Sequence, residues 1–138
     1  MYWPEHAYIP GQNERHQEGA FDALCITAQP SMSVEELSRC AAFQHGLRYL
    51  EHGYYWEAHE VLESVWMALE QESPERCFVQ ALIQVANAHL KSLMGREKAV
   101  RRLCEISRTL LDELESPTVM GVNWSIYTEM LDELERKL

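Results

Sequence analysis

The amino-acid sequence predicts an all-α fold: a compact multihelical bundle of about five helices, one helix enclosed by the others, with an irregular N-terminal arm in front. Two observations carry that expectation. From residue 33 onward apolar side chains recur at +3 and +4 steps, the spacing that gathers them on one face of a helix. These runs are punctuated by residues that start and stop helices, among them Ser33, Gly53, Ser73-Pro74 and Gly95. At 138 residues, 46% hydrophobic and 25% charged, the chain has the material for one core.

Ser33-Val34-Glu35-Glu36 forms a capping box, in which hydroxyl and carboxylate satisfy the opening N–H groups of a helix. Cys40, Phe43, Leu47 and Leu50 continue the stripe toward Gly53, which predicts one helix over this stretch. A second helix, about Tyr55 to Gln71, carries Ala58, Val61, Leu62, Val65, Trp66 and Leu69. Ser73 caps a third, with Pro74 at its first position, and Gly95 ends it in the left-handed conformation. A fourth covers about Glu97 to Glu115, with Ala99, Leu103, Ile106, Leu110 and Leu114 turned inward. After Pro117 and Gly121, Asn123 caps a fifth helix bearing Ile126, Tyr127, Met130, Leu131 and Leu134.

Residues 1–32 read differently from the single helical domain at 33–138. Pro4, Pro10, Gly11, Gly19 and Pro30 interrupt any period, leaving a short helical hint at Ala20-Phe21-Leu24-Cys25. Tyr2, Trp3, Tyr8 and Phe21 make the segment too aromatic for a disordered tail, so it reads as an arm laid across the helices. Gly53 and Ser73-Pro74 recur as Gly95 and Ser116-Pro117, a loose pattern of two helical hairpins. A stable repeat stack needs about three copies.

Twelve basic residues stand against 22 acidic ones, a net charge of −10. That balance argues against nucleic acid and anionic membrane as partners, since both draw affinity from basic side chains. No apolar run approaches the ~20 residues of a membrane span. The first residues lack the basic and apolar regions of a signal peptide. Cys25, Cys40, Cys77 and Cys104 form no close pair of the kind used by metal fingers or redox motifs. Cys40, Cys77 and Cys104 read as buried, reduced thiols, which fits a cytoplasmic location. Phosphate-cradling glycine loops and nucleophile elbows do not occur.

The densest chemistry lies in Glu57-Ala58-His59-Glu60-Val61-Leu62-Glu63, with Trp66 one turn on. In helical projection Ala58, Leu62, Val65 and Leu69 centre the inward face, flanked by His59, Glu63 and Trp66. Glu60 points nearly opposite, and Glu57 lies on the remaining side. On the third helix His89 shares the apolar face with Phe78, Leu82, Val85 and Leu93, while Gln80, Gln84, Asn87 and Lys91 form a polar stripe. Antiparallel packing would bring His89 or Gln84 to His59 and Glu63. In one reading these groups form a hydrogen-bond network that fixes helix register. In the other, His59 and Glu63 bind a metal, with Glu60 as base. That arrangement is similar to the zinc-protease HExxH pattern, but Glu63 replaces the second histidine, and the Glu-x-x-His motifs of di-iron bundles are missing from both helices. The network reading is preferred, and no metal or cofactor is assigned.

Phe43-Gln44-His45-Gly46, the Gly53-Tyr54-Tyr55 turn and the run from Glu57 to Trp66 resemble the signature of domain-of-unknown-function family 309. In that signature an F-x-x-G helix and a G-x-Y/F turn lead into EAHExxExxW. Arg76 and Ala81-Leu82-Ile83-Gln84-Val85-Ala86 are similar to its second block, with Gln80-Ala81 where a glycine is common. Tyr8-Ile9-Pro10-Gly11 followed by His16 is similar to the family's approach segment without its histidine–proline pair, and His16 is given no role. The resemblance implies a compact multihelical fold with one helix enclosed, and it implies no reaction. The matched positions Glu57, His59, Glu60, Glu63, Trp66, Arg76 and Gln84, together with His89, make up the candidate polar site.

The functional expectation is a soluble helical domain of unknown activity with a semi-buried His/Glu/Gln centre. Two sharper alternatives stand beside it. One is a small-molecule- or metal-binding enzyme using His59, Glu60 and Glu63, its ligand unknown. The other is a helical protein-interaction module, homo-oligomeric through its exposed faces.

Overall fold

The computed structural model describes residues 1–138 and contains seven helices and one short hairpin. After the first part of the arm come α1 (Asp22–Cys25), α2 (Val34–Arg39), α3 (Ala41–Glu51) and α4 (Tyr55–Ala68). The remainder is α5 (Pro74–Leu93), α6 (Glu97–Asp112), the antiparallel strands β1 (Thr118–Val119) and β2 (Val122–Asn123), and α7 (Ser125–Arg136). The helices pack largely in chain order: α3 on α4, α4 on α5, α5 on α6, with α7 closing over α5 and α6. α4 is thereby enclosed by α1, α3 and α5. A single hydrophobic core passes between these layers through Phe43, Leu62, Phe78, Leu82 and Leu131. No helix is long and apolar enough to cross a membrane.

Local chemistry explains most boundaries. The Ser33 capping box forms as its residues dictate, with Glu36 and Ser33 exchanging side-chain-to-backbone bonds of 2.9 and 3.1 Å. The single helix expected from Ser33 toward Gly53 is in fact two. Cys40 is extended (ψ 155°) between them, and the Thr27 hydroxyl accepts the Ala42 N–H at 2.9 Å. The arm therefore satisfies an opening amide of α3, supporting a break that no proline or glycine announces.

α3 meets α4 at Gly46, where a Cβ would come within 2.5 Å of the Leu62 side chain. Only glycine permits that approach. α5 opens on Ser73, whose hydroxyl accepts the Arg76 N–H at 3.1 Å, with Pro74 in the first turn. It closes in a Schellman motif: Gly95 (φ 74°) donates to the Ser92 carbonyl and Arg96 to that of Lys91.

The inward face of α6 differs from the expected one. Val100, Cys104, Ser107 and Leu111 are buried, and Ala99, Leu103, Ile106, Leu110 and Leu114 flank them half-buried, with Leu103, Leu110 and Leu114 packed against the core. Hydropathy missed this register because a polar residue holds the centre. The Ser107 hydroxyl donates to the Ala81 carbonyl at 3.0 Å across the α5–α6 contact, so its burial is compensated. The β1–β2 hairpin was also unforeseen, because two-residue strands are too short to show a period. Asn123 accepts the Ser125 N–H at 3.0 Å, but Trp124 holds the N-cap position of α7. Arg108 then ties α6 to α7 through Asp132 and Glu135 at 2.5 and 2.7 Å.

All four cysteines are free. Cys40 and Cys104 are buried, whereas Cys77, expected among them, is half-buried with its thiol 3.3 Å from the Leu110 carbonyl. It sits in the first turn of α5, where the core has begun to open.

Candidate functional site

The most unusual side chain is Glu57, in the first turn of α4, with 0% of its surface exposed. The buried arc of α4 comprises Glu57, Ala58, Val61, Leu62, Val65 and Ala68. It is rotated toward Glu57 relative to the stripe that hydropathy suggests. The arm causes this rotation by covering the Glu57 side of the helix.

Three sets of bonds hold the arm there. At its start, the Tyr2 N–H donates to His45 Nε2 at 3.2 Å, and the Tyr49 hydroxyl donates to the Tyr2 carbonyl at 2.8 Å. Trp3 packs edge-on against Tyr49 and His52. In the middle, Asn13 closes the 7–13 loop by accepting from the Ile9 N–H and donating to the Ala7 carbonyl, both at 2.8 Å. Gln12 then donates to the Leu93 carbonyl at 2.7 Å. The third set belongs to Glu57 itself. Its Oε2 accepts from the Tyr8 N–H at 2.8 Å and from His16 Nε2 at 2.6 Å, and its Oε1 has no partner. The His16 side chain is only 10% exposed. Its ring stacks on His6 at a centroid distance of 4.7 Å and lies against Trp56 and Phe21.

Beside this pair a cavity of about 440 Å³ opens between the 15–22 loop, α1 and the first turns of α4. His16, Phe21 and Cys25 line it with Trp56 and Glu60, which stand one turn apart on α4. Burial pushes the Cys25 thiol up from its ordinary range. The nearby carboxylates Glu60, Asp22 and Glu63 push the same way, against the Ser64 hydroxyl. A negative field therefore fills this corner, and it disfavours a thiolate nucleophile.

The other candidate residues are dispersed. His59 faces its own helix, with Nδ1 3.6 Å from Glu60 and Nε2 3.3 Å from Glu63. It does not join Gln84 or His89. The expected inter-helix network fails because the rotation of α4 carries His59 and Glu63 out of the buried arc, leaving half of the Glu63 side chain exposed. Gln84 bonds Asn87 on its own helix at 3.4 Å. His89 is buried, stacks on Tyr55 at 4.7 Å, and its Nε2 has no partner. Burial holds its pKa below the ordinary value of 6.5, outweighing the opposing pull of the Met130 backbone and Glu133. Arg76 lies over the half-buried Trp66 ring at 3.9 Å, and its Nε donates to the Trp66 carbonyl at 3.2 Å. No group of three or more His, Cys, Asp or Glu side chains is arranged to hold a metal ion, so the HExxE run has no third donor.

Sequence reasoning selected Glu57 but missed His16, its partner. The available signal was the Tyr8-Ile9-Pro10-Gly11 segment, which turns the arm so that the Tyr8 N–H and His16 reach one carboxylate.

These features define an all-α helical domain whose N-terminal arm closes a buried histidine–carboxylate pair against one enclosed helix. Residues 43–103 match the family model described as Domain of unknown function (DUF309). The match runs from α3 into α6 and leaves out the arm. No curated protein and no solved structure matches the chain.

Proposed function

We propose that the protein is a small-molecule-binding domain whose working centre is the His16–Glu57 pair and the cavity beside it. One observation carries this reading: a carboxylate without exposed surface keeps one oxygen unpartnered. Such a group costs stability, and buried polar groups left incomplete need an explanation beyond packing. Enclosed ionisable groups beside a cleft are enriched at functional sites. With His16 Nε2 bonded to Glu57, Nδ1 is the ring nitrogen left to face a ligand. The centre thus lies on the Glu57 side of α4, and Glu60 belongs to it as a cavity wall. His89 Nε2 and Trp66 Nε1 are also unpartnered, but neither side chain is a carboxylate or lines this cavity, so His89, the Trp66–Arg76 stack, His59, Glu63 and Gln84 are read as architectural.

A fragment screen followed by ¹H–¹⁵N NMR tests the proposal. Bound fragments should shift the amides of His16, Trp56 and Glu60 in the wild type and lose that footprint in His16→Ala. Binding confined to the His59–Glu63 face, or none in a screen of several hundred fragments, would refute it.

A second reading, self-association through helix faces, draws support from Ile26 and Met67. They are 69% and 65% exposed, Ile26 just after α1 and Met67 on α4, elements that pack together. Native mass spectrometry at micromolar concentration should show a dimer under this reading, and a strictly monomeric mass rejects it. The four free thiols support a cytoplasmic location, and the net charge of −10 supports partners other than nucleic acid or anionic membrane.

A further inference from the structure

We infer that the cavity beside His16 takes an organic cation, a ligand presenting a primary ammonium or guanidinium group. The inference rests on the ligand-binding reading above and adds the chemical class. The cavity walls carry three carboxylates, Glu18, Asp22 and Glu60, against a single permanent positive charge, Arg15. Arg15 is itself informative: its guanidinium sits over the Trp56 ring, 5.9 Å from the centroid. Cations are drawn to the face of an aromatic ring at distances within about 6 Å, and tryptophan is the strongest such face. The chain's own side chain therefore occupies the position that a ligand cation would take, in the way a tethered group holds a site it does not fill.

Two further features fit a donor-bearing cation. With Nε2 committed to Glu57, Nδ1 is the His16 nitrogen left open, and in an uncharged ring it accepts from an N–H donor. The Glu57 carboxylate behind it adds buried negative charge with one oxygen still unpartnered. An anionic ligand would instead be brought against three carboxylates in a partly desolvated corner, at a cost in free energy. The net charge of −10 also steers cations toward the protein and anions away.

The test uses the full chain and three probes of one shape: benzylamine, benzyl alcohol and benzoate. Each is titrated by ¹H–¹⁵N NMR, with the Trp56 indole and the Asp22 and Glu60 amides as reporters. Benzylamine should bind there in preference to the other two, and 0.5 M salt should weaken it. The Asp22→Asn/Glu60→Gln double variant should bind roughly tenfold more weakly, the scale two partly exposed ion pairs support. Arg15→Ala should bind benzylamine more tightly than the wild type, because the resident cation is gone. All three replaced side chains are at least partly exposed, so the fold should survive, and a thermal melt of each variant checks this. Benzoate or benzyl alcohol binding at these reporters in preference to benzylamine would overturn the cation assignment and leave the ligand site standing. Benzylamine failing to move them at all, while screened fragments still do, overturns the cation assignment in the same way. Arg15→Ala binding no more tightly would overturn the placeholder role.

Discussion

His16 Nε2 and Glu57 Oε2 lie 2.6 Å apart although 41 residues separate them in the chain. The bond fastens the arm to the first turn of α4, and the Tyr8 N–H on the same oxygen makes it a clamp. Removing His16 leaves a fully buried carboxylate with one backbone donor. His16→Ala should cost about 3–5 kcal/mol, the usual penalty for breaking a buried pair on one side. Glu57→Gln keeps an acceptor for Tyr8 while removing the charge, so in the His16→Ala background it should restore part of the loss. Urea denaturation of the two single variants and the double variant measures this. Losses that simply add would show that the two side chains are not coupled.

His89 predicts a pH dependence. Burial depresses its folded-state pKa below 6.5, so the folded protein binds a proton there less readily than the unfolded chain. The associated stability is fully present above the unfolded value and is lost as pH falls below it. The groups beside the ring include Tyr55, Met130, Glu133 and Lys137. Thermal melts from pH 7.5 to 5 should show a steeper decline for the wild type than for His89→Gln. Parallel curves would remove His89 from the account.

Gly46 offers a purely steric prediction. A methyl group there meets Leu62 Cδ2 at 2.5 Å in a region without free space, so Gly46→Ala should destabilise by about 1–3 kcal/mol. Leu62→Ala would make room, and the double variant should be more stable than the sum of the two singles predicts. Strict additivity would show that the cost of the added methyl does not come from its clash with Leu62.

The legible parts of the fold were those written in local chemistry. Ser33, Ser73-Pro74 and Gly95 act at their own positions, and the structure keeps all three signals. What stayed hidden depended on contacts distant in sequence. The break at Cys40 needs Thr27, the burial of Ser107 needs the Ala81 carbonyl, and the register of α4 needs the arm. For the candidate site the same division holds. Glu57 stood inside a recognisable run, but only the folded arm shows that its partner is His16 rather than His59 or His89.

The Trp66–Arg76 stack separates architecture from ligand chemistry. The sequence suggests a tryptophan that buries much of its side chain, and Trp66 packs partly buried against the core, its indole nitrogen enclosed and its ring covered by the Arg76 guanidinium at 3.9 Å. Full burial would make Trp66→Ala cost about 3–5 kcal/mol, and partial burial lowers the expectation to about 2–3. Arg76→Ala should cost about 1 kcal/mol, through the lost stack and the bond to the Trp66 carbonyl. Because these losses share one contact, the double variant should recover about 0.5–1 kcal/mol relative to their sum. Arg76→Lys keeps the charge but not the planar fork, so it should behave more like alanine than like arginine. None of these variants should alter fragment binding at Trp56 and Glu60, since the stack belongs to the architecture. If Trp66→Ala abolishes that binding while its thermal midpoint stays at the wild-type value, the working centre is at Trp66 and not beneath the arm.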